Sequence, residues 1–203
     1  MNEAYWIKSS EGRRYEKLDR DIKADFLIVG GGMAGITCLY LLAASGIEAV
    51  LVDADRIGYG CSGRNTGKIT AQHGLVYHDI ESQFGLERAR LYHEINDKAL
   101  ELIETLIAKY DIPCDFQRVA ACVFTQDDEY AGRIRQEYET YRKLGLDCSL
   151  EEEIPIPIRV KNALVMKNQA QFNPKKYIDA LAAEAVRKGG RIYEDTRIVD
   201  FQP

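Results

Sequence analysis

Six consecutive residues, Gly30-Gly31-Gly32-Met33-Ala34-Gly35, place glycine at the first, third and sixth positions of a G-x-G-x-x-G spacing. The first glycine of such a turn lets the chain leave a strand sharply. The second lets a pyrophosphate approach the main chain, and the third lets the following helix lie close to the strand. Free N–H groups and a partial positive charge at the helix N-terminus then face the phosphates. Asp53 ends the next apolar run, where a carboxylate accepts hydrogen bonds from an adenosine ribose. It also argues against a 2′-phosphate, since only Arg56 is near enough in sequence to offset the charge. The spacing alone is a weak signal, and a tight ligand-free turn with Asp53 as a strand terminator is the plain alternative. The strand before, the helix after and the acid beyond make it strong.

A second loop, Gly58 to Gly67, combines glycines at 58, 60, 63 and 67 with Ser62, Asn65 and Thr66. Glycines permit close approach of the backbone and the polar side chains supply hydrogen bonds, which suits a polar ligand. A hydrophilic surface loop has the same composition. Other candidates are weaker. His73 and His78 are spaced to lie on different sides of a helix, and His73 reads as a hydrogen-bonded loop residue, with a place lining the ligand pocket as the alternative. His93 reads as a helix-surface residue. Lys68 is either a cation beside a bound ring system or a solvated loop lysine. Cys61 is expected to be a small, buried, inert residue. Tyrosines between 130 and 141 read as packing, and Glu151–Glu153 as a solvated turn. No G-x-S-x-G elbow is present, so hydrolysis has no support.

The elements that must position these residues follow from periodicity. Ala24–Val29 and Ala49–Val52 read as buried parallel strands flanking a helix from Met33 to Ser45, one βαβ unit. Apolar residues at Tyr92, Ile95, Ala99, Leu102, Ile103, Leu106 and Tyr110 predict a helix over Leu86–Tyr110. Phe116–Phe124 and Ala163–Met166 read as strands, and Tyr130 to Tyr141 as a helix ending near Gly145. Asn173-Pro174 reads as an N-cap with proline at N1, opening a helix that Gly189-Gly190 ends. Arg191–Tyr193 and Arg197–Phe201 read as strand pieces. The fold class expected is α/β: a Rossmann-like FAD/NAD(P)-binding domain over 24–203, preceded by an arm over 1–23. Part of a second, substrate-binding region is woven in over about 113–172.

The chain of 203 residues carries a net charge of −5 and no basic run, which disfavours nucleic-acid binding. Its five cysteines form no CxxC pair, so neither a disulfide framework nor a zinc site is indicated. No apolar stretch is long enough to span a membrane, and a reducing, cytoplasmic location is the expectation.

The choice between FAD and NAD rests on a resemblance. Residues 26–53 (FLIVGGGMAGITCLYLLAASGIEAVLVD) and 57–69 (IGYGCSGRNTGKI) resemble the D-amino-acid-oxidase-like family of FAD-dependent oxidoreductases. The second segment is similar to the γ-glutamylputrescine-oxidase type, and Lys68–Gly74 (KITAQHG) is similar to relatives in which a Rieske iron–sulfur domain follows the flavoprotein. Tyr5-Trp6 and Gln171-Phe172-Asn173-Pro174 also look like this family.

The resemblance implies roles residue by residue. Gly30, Gly32 and the Met33–Ala34 backbone would cradle the pyrophosphate, and Asp53 would hold the ribose with Ala54 beside it. Gly60, Cys61 and Ser62 would approach the diphosphate and ribityl chain. Asn65, Thr66, Gly67, Lys68 and Ile69 would run beside the isoalloxazine, and Ile198 would lie at the adenine. The implied reaction is hydride transfer from the α-carbon of a small-molecule amine or amino acid to flavin N5, followed by imine hydrolysis. Oxygen or an iron–sulfur domain would accept the electrons, and no catalytic residue is assigned. Family members continue well beyond residue 203, so the resemblance implies truncation, missing substrate contacts and weak flavin retention. An NAD-dependent dehydrogenase, a flavin monooxygenase or tRNA-modifying flavoprotein, and an inactive FAD-binding module remain as rivals.

Overall fold

Three short parallel strands meet where the apolar runs predict them. β1 (Phe26–Val29) pairs with β2 (Ala49–Val52), which pairs in turn with β7 (Arg191–Tyr193). This computed structural model describes residues 4–200 and 202. The chain divides into two units, the first built from Met1–Gly67, Lys109–Asp115 and Asn173–Pro203, the second from Lys68–Ala108 and Phe116–Phe172.

In the first unit β2 is buried along its whole length because it has a strand on either side. α2 (Met33–Ala44) and α6 (Pro174–Arg187) pack together, burying Ile36, Leu39, Tyr177, Ile178 and Leu181. Each such side chain contributes roughly 1.5–3 kcal/mol. α6 starts as its sequence requires: Asn173 Oδ1 accepts the Lys175 and Lys176 amides, both at 3.2 Å, with Pro174 in the first turn. The arm before β1 packs along this unit. Its first described element is the short helix α1 (Tyr5–Lys8), whose Ile7 is buried.

Two expectations fail here. β1 is not a buried strand: Phe26, Leu27 and Val29 are about half exposed (49–56%), because among the described residues β1 pairs only with β2. Arg197–Asp200 form no strand, and Phe201 lies outside the described residues. Thr196 instead turns the chain back, donating its N–H to the Asp53 carbonyl.

The second unit is an antiparallel sheet. β6 (Asn162–Gln171) pairs along one side with β4 (Gln117–Thr125), and elsewhere with β5 (Cys148–Glu151) and β3 (Lys68–Ile69). Its helices are α3 (Tyr77–Phe84), α4 (Leu86–Tyr110, of which all but Lys109 and Tyr110 belong here) and α5 (Asp128–Leu144). Asp127 caps α5 by accepting the Glu129 and Tyr130 amides, and Gly145 ends it in the left-handed region. The core gathers Tyr77, Ala89, Ile134, Tyr141, Leu164 and Met166. α4 has the predicted bounds but a different inner face: Leu100 is buried, whereas Ile95 is 58% exposed. α3 is an additional helix. His73 precedes it in a loop and His78 lies in its first turn, so the two share no helix.

Candidate functional site

The glycine turn sits between the end of β1 and the start of α2, as its spacing requires. A Cβ on Gly35 would overlap the Gly30 carbonyl oxygen, so the third glycine is what lets α2 close on the turn. The second loop repeats this geometry, with a Cβ on Gly63 overlapping the Gly58 carbonyl oxygen. Cys61–Gly63 form a single 3-10 turn between these limits.

The two loops are joined. Gly58 donates its N–H to the Gly31 carbonyl at 2.9 Å, and Met33, the first residue of α2, donates its N–H to Ser62 Oγ at 3.0 Å. Gly32, the N-cap, has no side chain to do this. Asp53 accepts the Gly31 amide at 2.6 Å through one carboxylate oxygen and the Asp55 amide at 2.8 Å through the other. Its own main chain pairs with Tyr193 and Thr196, which sets the 196–198 segment beside it.

The far part of the loop is pinned as well. Asn65 Nδ2 donates to the Ser62 carbonyl at 3.0 Å, Gly67 donates its N–H to Asn65 Oδ1 at 2.8 Å, and Trp6 Nε1 donates to the Asn65 carbonyl at 2.7 Å. Glu194, fully buried, accepts the Ile57 amide at 2.9 Å and the Tyr15 amide at 3.1 Å. Sequence reasoning missed Glu194, since a lone glutamate after a short strand carries no motif. Only the folded chain aims its carboxylate at those two amides.

Gly30, Gly32, Met33, Ala34, Asp53, Ala54, Gly60, Cys61, Ser62, Asn65, Thr66, Gly67 and Ile198 all fall in the first unit, while Lys68 and Ile69 belong to the second. Cys61 is exposed, contrary to the buried residue expected: it opens a 3-10 turn in which Gly63 is the buried residue. Ala54 and Thr66 are also exposed. Ile198 packs against Val50, Val52 and Tyr193 and lines a groove of about 450 Å³ with Leu18, Ile22 and Leu27.

In the second unit Lys68, Thr70 and Gln72 line a groove of about 280 Å³ with β4 and the Gln169–Gln171 end of β6. His73 bonds through Nδ1 to the Tyr92 hydroxyl at 2.8 Å. Partial burial, and secondarily the Lys68 charge, hold its imidazole below the usual histidine range. The bland reading of His73 as a hydrogen-bonded loop residue matches this geometry. His93 is half-buried rather than on the helix surface, with Nδ1 3.4 Å from the Tyr77 hydroxyl.

A flavin dinucleotide fits the first unit's donor set. A Cβ on Gly30 or Gly60 would meet nothing within 4 Å, so both main chains face open space that a diphosphate can enter. The start of α2 supplies the helix N-terminus, and Asp53 the carboxylate, that such a ligand needs. Among the described residues no group of three or more His, Cys, Asp or Glu could hold a metal ion, and no helix is long and apolar enough to cross a membrane.

The family described as DAO, FAD dependent oxidoreductase, matches residues 25–203. The Bacillus subtilis (strain 168) protein YhfW, whose name carries the words Rieske 2Fe-2S iron-sulfur protein, is 40% identical over 98% of this chain and 39% of its own length. Gamma-glutamylputrescine oxidoreductase of Escherichia coli (strain K12) is 27% identical over 98% of this chain and 48% of its own length. L-proline dehydrogenase from P. horikoshii superposes with a TM-score of 0.69 at 21% identity, over 93% of this chain and 47% of that one. The chain thus spans less than half the length of each of these relatives.

Proposed function

The chain belongs to the DAO family of FAD-dependent oxidoreductases, and from that premise we propose that it forms the flavin-holding part of an enzyme that oxidises the C–N bond of an amine or amino acid. The observation that carries this reading is the joining of the Ser62 loop to the glycine turn through Met33 and Gly31. It brings the glycine turn and the polar second loop side by side, which supports a dinucleotide that engages both.

In this reading the Gly30, Gly32 and Met33–Ala34 main chain binds the pyrophosphate. Asp53, with Ala54 beside it, orients the ribose, and Ile198 borders the adenine. Gly60, Cys61 and Ser62 follow the diphosphate and ribityl chain, and Asn65 to Ile69 run beside the flavin ring. FAD, when bound, supplies a two-electron acceptor for hydride from the carbon next to nitrogen. This chain's contribution is to bind and orient that group. The amine class is supported by the likeness to gamma-glutamylputrescine oxidoreductase. An iron–sulfur electron acceptor is supported by the name of the Bacillus relative, with oxygen as the other acceptor.

The test is anaerobic titration of the flavin-loaded protein with a panel of amines, amino acids and 2-hydroxy acids, followed at the flavin absorbance band. Bleaching by amines or amino acids alone supports the reading. Bleaching by a hydroxy acid alone, or by NADPH alone, would sink it.

A further inference from the structure

Lys175 and Asp179 form an ion pair one turn apart on α6, with the lysine 1% exposed. Lys175 Nζ donates to both Asp179 carboxylate oxygens, at 2.5 and 2.7 Å. Helix surface pairs of this spacing are ordinarily solvated and contribute a few tenths of a kcal/mol. This one is enclosed, which normally costs more in desolvation than the attraction returns.

What encloses it is the cofactor loop on one side and the N-terminal arm on the other. A Cβ on Gly58 would come within 2.9 Å of Lys175 Cδ, so the first glycine of the loop rests directly on the lysine stem. The ammonium lies 5.5 Å from the centre of the Tyr59 ring, and the Arg56 guanidinium lies 4.5 Å from the same ring. Tyr59 therefore has two cations at its ring. From the arm, Ser10 Oγ donates to Asp179 at 2.6 Å, and Gly12 lies so close that a Cβ there would overlap the carboxylate. The next link is Gly58 N–H to Gly31, in the glycine turn itself.

We propose that Lys175 and Asp179 are positioning residues, an ion pair buried within α6 whose place beneath Gly58 and Tyr59 sets how the Ser62 loop meets the glycine turn, and so sets affinity for the flavin side of the dinucleotide. This rests on the reading that the loop beginning at Gly58 holds FAD. The pair meets Gly58, Tyr59 and the arm directly, and reaches the glycine turn only through the Gly58 link to Gly31. Its effect is therefore expected to be larger on the half of the ligand that the second loop holds than on the AMP half.

The experiment measures FAD and ADP affinity, and thermal stability without ligand, for the wild-type chain, Lys175→Met and the double variant Lys175→Met/Asp179→Leu. Lys175→Met leaves the largely enclosed Asp179 carboxylate without its cation and with Ser10 as hydrogen-bond donor, whereas the double variant removes both charges. The expected result is that the double variant regains the wild-type melting temperature but still binds FAD ~10-fold more weakly, with ADP affinity changed less than about 3-fold. Recovery of FAD affinity together with stability, or an equal loss for ADP, overturns the inference and leaves the pair as packing alone. Wild-type affinity equal for FAD and ADP sinks the functional reading of the loop, and this inference with it. A wild-type preference for FAD that Lys175→Met leaves intact sinks this inference and spares the reading.

Discussion

Met33 donates its N–H to Ser62 Oγ across 29 positions of sequence, at 3.0 Å. A helix whose N-cap is glycine thus takes its cap from another loop. Ser62→Ala is expected to cost about 1 kcal/mol of stability, as lost caps do. It should also weaken FAD binding, because the turn around Ser62 is then free to move away from α2. Urea unfolding and flavin fluorescence titration check the two effects separately.

Asp53 holds the Gly31 amide at 2.6 Å and the Asp55 amide at 2.8 Å. Asp53→Ala orphans both and, on the proposed function, removes the ribose acceptor. A loss of about 1–3 kcal/mol is expected, with FAD affinity down ~10-fold or more. Isothermal titration against riboflavin 5′-phosphate, which lacks the adenosine ribose, should register much less change than titration against FAD.

Gly63→Ala sets a methyl against the Gly58 carbonyl oxygen, which backbone cannot evade cheaply. The expected cost is roughly 1–3 kcal/mol, and the visible result is a lower melting temperature with reduced flavin content on purification. Gly132→Ala, on α5, meets nothing within 4 Å and serves as the control.

Glu137, wholly buried, accepts the Tyr77 amide at 2.9 Å and the His78 amide at 2.7 Å, capping α3 from α5. Burial raises its carboxyl above the usual range, while the backbone hydrogen bonds pull the other way. A folded value above the unfolded 4.5 means that its contribution is full below 4.5 and falls as pH rises through the folded value. The wild-type chain should lose stability over that window relative to Glu137→Gln, whose side chain does not titrate. Denaturation midpoints across the window decide it, and parallel curves would count against the assignment.

His73 is held low by burial first and by Lys68 second. Its folded value lies below the unfolded 6.5, so its contribution is present above 6.5 and lost as pH falls through the folded value. Lys68→Met should shift the His73 titration upward in a proton NMR experiment. No shift would mean that desolvation alone acts.

Much of the first unit was legible because its signals are local. An apolar run, a glycine spacing and a second apolar run ending in Asp53 define β1, α2 and β2 within one or two residues. Asn173-Pro174 announced the start of α6, since a cap is read from adjacent residues. The periodicity of Leu86–Tyr110 predicted the helix but not its buried face, because a stripe does not say what will cover it. Ile95 is consequently exposed, while Ala89, in the first turn, is buried. β5 and α3 escaped for a related reason. Cys148–Glu151 is a strand only because β6 pairs with it, and α3 takes its cap from Glu137, about sixty positions away.

The residues alone determined that this chain carries a dinucleotide-type glycine turn and, through resemblance, that FAD is the family's cofactor. Each follows from short-range spacing and residue type, which survive without knowledge of the fold. Tertiary structure decided the rest: that Ser62 and Met33 meet, that Glu194 and Glu137 aim buried carboxylates at distant amides, and that Lys175 and Asp179 lie against Gly58 and the arm. Those relationships join positions far apart in the chain, and burial of their charges has meaning only once packing has excluded water.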